Sequence, residues 1–149
     1  MDLNHEFIVN VPIAKAWTIL TNLELIAPCL PGAELTEVRG DNYYGIVKVK
    51  VGPIVAKFEG RAEFLERNEV ERRAVLKGEG LDKSGKGKTS AIITAQLETV
   101  SDTSSRCKVH TDLAISGKLE QFGRGALEHV SDKLLAKFVD NLNQLIAKS

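Results

Sequence analysis

Residues 117–147 read GKLEQFGRGALEHVSDKLLAKFVDNLNQLIA, and the spacing of the apolar side chains in that stretch decides the fold. Leu119, Phe122, Ala126, Leu127, Val130, Leu134, Phe138, Leu142 and Leu145 recur at the period of one helix face. A helix of about thirty residues reaches roughly 45 Å, enough to lie across a whole sheet. Its first turns are light, because Gly123, Gly125 and Ala126 stand where a packed helix places bulk. The expectation is a helix that clasps a sheet over a gap, with these three residues as the roof.

Everything between Ala33 and Ile115 follows the other period. Ile54, Ala56, Phe58, Gly60, Ala62 and Phe64 alternate with Lys57, Glu59, Arg61 and Glu63, the pattern of a strand with one buried face. Further strands are read at 33–39, 43–51, near 70–78, at 88–99 and at 105–115. Leu3, Phe7, Val9 and Val11 form a first strand ahead of them. Pro12 then opens a helix to about Asn22, a second short helix covers Glu24 to Ala27, and Pro28-Cys29-Leu30-Pro31-Gly32 is a rigid loop. Short connections favour antiparallel neighbours. Strand, two short helices, six strands and a long helix make one α+β domain over residues 1–149.

Composition narrows the function. Twenty basic and twenty acidic residues cancel, which leaves no global field to gather nucleic acid or anionic lipid. One Trp, two Tyr and five Phe, with no basic run among them, make no base-stacking platform. No apolar run approaches the length of a membrane span. The opening Met1-Asp2-Leu3-Asn4-His5-Glu6 has neither the basic region nor the apolar run of a signal peptide, so a cytoplasmic location is expected. Cys29 and Cys107 read as reduced, partly buried thiols.

No constellation for catalysis or metal binding stands out. Gly80-Leu81-Asp82-Lys83-Ser84-Gly85-Lys86-Gly87 nearly spells a phosphate-binding loop. Gly87 replaces the magnesium-binding hydroxyl, however, and a strand follows where a helix is required, so a hairpin tip is expected. His5, His110 and His129 lack ligand spacing. His5 shares the inward parity and His110 the outward one. The carboxylates alternate with cations on the outward face. What remains is an inward face of small residues, over which the helix either packs closely or leaves an apolar cavity; a helix too long and straight to follow a strongly curved sheet makes the cavity the expectation. Trp17, Leu20, Phe58, Phe64, Ile93, Val109, Phe122, Ala126 and Val130 are the candidate ligand-binding residues, with Leu30 and its flanking prolines as one wall of an entrance.

The order of elements resembles the helix-grip superfamily (SRPBCC, Bet v 1-like), shared by START lipid-transfer domains, pathogenesis-related plant allergens and polyketide cyclases. More closely, the chain resembles the CoxG family of carbon monoxide dehydrogenase subunits. The likeness rests on Phe7 through Trp17, Pro28-Cys29-Leu30-Pro31-Gly32, Val49-Lys50-Val51-Gly52-Pro53, Phe58-Glu59-Gly60, Gly78-Glu79-Gly80, Gly85-Lys86-Gly87 and Gly117-Lys118-Leu119-Glu120-Gln121-Phe122-Gly123, with Phe138 beyond. It implies a seven-stranded curved antiparallel sheet wrapped around the C-terminal helix. It also implies an accessory protein, not a redox catalyst, that binds a lipid or quinone beside a molybdenum hydroxylase of the carbon monoxide dehydrogenase type. Contact with the inner face of the membrane is implied as well. Some members carry an apolar C-terminal anchor, and the sequence as given ends with the helix, so peripheral contact is the expectation. Two other readings stand beside this one: a cyclase-like enzyme acting in the same cavity, with Thr111, Cys107 and His5 as its inward polar groups, and a scaffold without a ligand that docks on a dehydrogenase through its charged sheet face or loops, its cavity incidental.

Overall fold

Strand β1 (Asp2–Val9) enters the fold at an edge, and Pro12 then takes the position just before helix α1 (Ile13–Leu20) with an extended backbone. Asn22 begins helix α2 (Leu23–Ile26), its side-chain oxygen accepting the Leu25 N–H at 3.2 Å, the usual satisfaction of an orphan donor at a helix start. A 3-10 turn at Ala27–Cys29 carries Pro28 and ends the helical segment. The computed structural model describes Met1 through Lys148.

Six strands follow: β2 (Ala33–Arg39), β3 (Asn42–Val51), β4 (Ile54–Asn68), β5 (Arg73–Leu81), β6 (Lys88–Ser101) and β7 (Ser104–Ser116). Among the described residues all seven strands join one antiparallel sheet in the order β1-β7-β6-β5-β4-β3-β2. The curved seven-stranded sheet, the two short helices after β1 and the long C-terminal helix are the elements expected of a helix-grip fold. The hairpin tip expected at Gly80–Gly87 joins β5 to β6.

Two boundaries differ from the sequence reading. β4 runs on to Asn68 instead of ending near Phe64, because a bulge between Phe64 and Glu66 bends the strand and carries its pairing past that point. The C-terminal segment is not one continuous helix from Gly117. A 3-10 turn, Lys118–Phe122, comes first, and helix α3 then spans Gly123–Ala147. Gly117 and Gly123 have φ of 92° and 74°, values that L-residues with a Cβ adopt only under strain. Gly117 and Gly123 are therefore the backbone joints on either side of the 3-10 turn. Gly123 and Gly125 are exposed, and a Cβ on either would meet no atom within 4 Å.

α3 runs beside β1, in the same direction. Arg124 donates to the Asp2 carbonyl at 3.0 Å, the His5 ring meets Asp132 at 2.8 Å, and Asn143 donates to the Ile8 carbonyl at 3.2 Å. Asn141 reaches across to the Cys29 carbonyl at 2.9 Å, tying the helix to the 3-10 turn after α2. Along its length α3 joins two separate apolar clusters. One gathers Phe7, Val9, Val11, Ala16, Trp17, Ile19, Ile26 and Cys107 with Leu142 from the helix. The other gathers Val51, Ala56, Phe58 and Leu119 with Leu127. Leu119 and Leu142 are almost wholly buried, and each contributes about 2 kcal/mol through loss of apolar contact with water.

Candidate functional site

Strand registers show what lies between the two clusters. Tyr43, Ala62, Gly78, Ala91 and Leu113 form one row across β3, β4, β5, β6 and β7 on the concave side. Phe64, Leu76, Ile93 and Thr111 form the next. Gly45, Gly60, Gly80 and Thr89 form the neighbouring row toward the opposite end of the same face. The centre of the concave face is thus built from glycine and alanine, flanked by a few large apolar groups.

That centre is uncovered. A Cβ placed on Gly78, between Ala62 and Ala91, would meet nothing within 4 Å. Ala62, Leu76, Ala91 and Ile93 all face the helix side yet remain only half-buried. α3 is hydrogen-bonded along β1 and also meets β3, and its side chains join the two end clusters while the residues between them stay half-buried. The result is an apolar groove between the two clusters.

The sequence-nominated residues divide between the ends and the middle. Trp17, Leu20, Phe64 and Val109 pack in or against the first cluster, Trp17 only 8% exposed. Phe58, Phe122 and Val130 belong to the second, Phe58 at 7% exposed, and the Phe122 ring lies against Gly52. Ile93 stands in the open middle of the sheet, Ala126 is half-buried on α3, and Leu30 is half-buried in the loop after the 3-10 turn. Trp17 and Phe58 therefore serve first as packed ends.

Two residues the sequence reading missed stand at the groove's rim. The Tyr43 ring meets Phe64 edge-on, with centroids 6.3 Å apart. The Arg67 guanidinium lies 4.0 Å over the Phe64 ring and donates to the Tyr43 hydroxyl at 3.3 Å. Tyr43 shares its parity with Val47 and Val49, so the alternation of β3 was signal enough. Arg67 was hidden, because simple alternation from Phe58 places it outward. The bulge after Phe64 reverses the parity and pairs Arg67 with Ala74, an inward residue.

Inward polar groups are few and mostly engaged. His5 is inward, as its parity implies, and is held by Asp132. The Ser105 hydroxyl is fully buried and donates to the Val11 carbonyl at 2.8 Å. Burial pushes the Cys107 thiol up to about 12 and raises that of Cys29, so neither is a thiolate at neutral pH. Both cysteines are free and buried. His110 faces outward and contacts Asp2 at 3.1 Å, while His129 is exposed. Among the described residues no three His, Cys, Asp or Glu side chains converge as a metal site would require.

A second depression, about 680 Å³, lies on the outer face of the sheet around Tyr44, Glu59, Arg61, Glu79 and Lys83. Its two carboxylates are paired: Lys83 stands 2.9 Å from Glu59, and Arg61 and Lys77 stand 3.7 and 3.6 Å from Glu79. It is a solvated, charged surface with a cationic excess, and the concave groove is the stronger candidate for an apolar ligand. No helix among the described residues is long and apolar enough to cross a membrane.

The family model for CoxG, the G-type subunit of carbon monoxide dehydrogenase, matches residues 6–147. Comparison with curated proteins gives no match. A conserved protein from Geobacillus kaustophilus superposes with a TM-score of 0.88 at 19% identity, covering 100% of this chain and 97% of its own. The Zhui aromatase/cyclase from Streptomyces sp. R1128 gives 0.64 at 14% identity, over 97% and 92% of the two chains. Norcoclaurine synthase from Thalictrum flavum gives 0.59 at 17% identity, over 100% and 87%. At these identities the likeness is one of fold.

Proposed function

The chain belongs to the CoxG family of carbon monoxide dehydrogenase subunits, and from that premise we propose that it binds one apolar small molecule between the concave face of its sheet and α3. The observation that carries this reading is the open space above Gly78, midway between two packed clusters. A space lined by Ala62, Leu76, Ala91 and Ile93 offers dispersion contacts and few hydrogen-bond partners, which fits an aliphatic or aromatic body. Ile93, Val109, Phe64, Phe58, Ala126 and Val130 would touch that body, and Leu30 would flank the way in.

In this reading the ligand is a lipid or a quinone. The protein acts as an accessory to a molybdenum hydroxylase of the carbon monoxide dehydrogenase type, in the cytoplasm and in peripheral contact with the membrane's inner face. Family membership supports the accessory role, and the apolar groove supports the ligand class. A cyclase-like activity would ask for acid–base groups on the concave face. His5, Ser105 and Cys107 are each held or neutralised there, which leaves Thr111 and, at the rim, Tyr43 with Arg67, and favours binding over catalysis.

The test is direct. Native mass spectrometry of the purified chain, with solvent extraction, is expected to recover about one equivalent of an apolar compound. The stripped protein is expected to bind decan-1-ol, decanoate or the short-chain quinone ubiquinone-1. Failure of all three to bind at their solubility limits, with no compound recovered, rejects the reading.

A further inference from the structure

Six of the seven arginines stand within 4 Å of a carboxylate. Arg39 lies 2.6 Å from Glu37, Arg61 3.7 Å from Glu79, Arg72 3.9 Å from Glu69, Arg73 2.8 Å from Glu66, Arg106 2.8 Å from Glu98 and Arg124 2.6 Å from Glu128. Arg67 is the exception among the described residues. Its contacts are the face of Phe64 and the oxygen of Tyr43, both on the concave side of the sheet.

Arg67 reaches that side through the bulge at Phe64/Glu66, without which it would share the outward face with Leu65. Bulges re-aim side chains in this way. The guanidinium is exposed while the ring beneath it is half-buried, so the pair marks the line where the apolar groove meets water. The hydrogen bond from Arg67 uses a lone pair of the Tyr43 oxygen, which leaves the phenolic O–H free to donate elsewhere. A guanidinium with unused N–H groups and a free phenol O–H thus sit side by side at the rim, with donors available and no acceptor assigned to them.

We propose that this pair reads the polar end of the ligand, selecting amphipathic molecules whose head presents acceptor oxygens, as a carboxylate or a carbonyl does. The proposal rests on the groove binding an apolar body. The body would lie along Leu76 and Ile93, and the head would emerge at Arg67 and Tyr43. Charge-assisted hydrogen bonds of this kind distinguish a carboxylate from an alcohol of equal length.

The experiment titrates the stripped full chain at pH 8 with decanoate, decan-1-ol, decyltrimethylammonium and ubiquinone-1, followed calorimetrically. Wild type is expected to prefer decanoate over decan-1-ol by about tenfold, the effect of one net charge-assisted bond, and to bind the cationic ligand most weakly. Arg67→Gln is expected to erase the preference while leaving decan-1-ol affinity unchanged, and Arg67→Lys to keep part of it. Tyr43→Phe is expected to weaken decanoate and ubiquinone-1 together. Lys108→Gln, on the outer face beside Glu98, is expected to alter nothing, which separates local recognition from net charge. Decanoate against ubiquinone-1 in competition tells a carboxylate head from a quinone carbonyl. Equal affinity of wild type for decanoate and decan-1-ol, or a preference that survives Arg67→Gln, overturns the head-group site and leaves the apolar groove standing. No binding of any of the four rejects groove and head-group site together.

Discussion

Asp82 stands inside the stretch that nearly spells a phosphate-binding loop, and its contacts there are those of a hairpin tie. It is 4% exposed within the β5–β6 hairpin. It accepts hydrogen bonds from the Ser84 hydroxyl, from the Lys57 N–H at 2.8 Å and from the Ser84 N–H at 2.8 Å. Those donors, the Ser84 hydroxyl first, hold its carboxyl at about 2, below the ordinary value of about 3.9. A pKa lowered by folding means a contribution that is complete above the unfolded value and lost as pH falls through the folded one. Asp82→Asn is therefore expected to melt below wild type by a constant margin from pH 7 to about 5, and the margin is expected to close between about pH 4 and 2. Thermal melts across that range check it, and a margin independent of pH would contradict the assignment. The two cysteines give a second expectation. With both thiols buried and raised in pKa, iodoacetamide at pH 8 should label neither in the folded chain and both after denaturation, as read by intact mass. From the sequence, the strand that follows made a hairpin tip the expectation at Gly80–Gly87, and the wide separation of Cys29 and Cys107 made reduced thiols the expectation there. The sequence did not show Arg67, whose orientation depends on one bulged peptide.

At the scale of elements, the glycines divide by what a methyl group would meet. A Cβ on Gly60 would lie 1.7 Å from the Glu79 carbonyl oxygen on β5, whereas one on Gly78, a residue of β5 paired with Ala62, would meet nothing within 4 Å. Gly60 is where β4 curls so tightly against its neighbour that only a hydrogen fits. Gly78 is where the curved sheet faces open space. Gly60→Ala is expected to cost about 3 kcal/mol or more, and Gly78→Ala to change stability by less than about 1 kcal/mol, both by urea titration. Equal costs would mean that the groove closes over Gly78 in solution. Strand existence and parity were legible from alternation, as at Ile54 to Phe64, because burial of one face imposes period two. The end of β4 and the start of α3 were not. The first depends on a bulge with no distinctive residue, and the second on positive φ at Gly117 and Gly123, which composition shows only as a lack of bulk.

For the whole molecule, the division of labour along α3 is the feature that ties fold to function. Its C-terminal half, with Leu142 fully buried, packs with α1, β1 and the 3-10 turn after α2 in the first cluster, and its N-terminal part, through Leu127 and Val130, packs with Val51 and Phe58 in the second. Neither half fills the middle, where small residues on the sheet remove the volume that Leu or Phe would supply. The inward small residues of β4 and β6 are legible in the sequence. The boundaries of the open middle emerged only once the strand registers and the helix clips to β1 fixed which residues stand opposite one another. Stability and uptake should therefore respond to different substitutions. Leu142→Ala leaves a void in a packed cluster and is expected to lower stability by about 2–5 kcal/mol, while the folded fraction still binds decan-1-ol with wild-type affinity. Ala126→Trp adds bulk at a half-buried position on the N-terminal part of α3. It is expected to keep the urea midpoint within about 1 kcal/mol of wild type and to abolish uptake of decan-1-ol and ubiquinone-1. Unfolding of Ala126→Trp would mean that side chains already occupy the space beside it. Undiminished uptake would place the ligand away from α3, against the reading in which the helix closes over the groove.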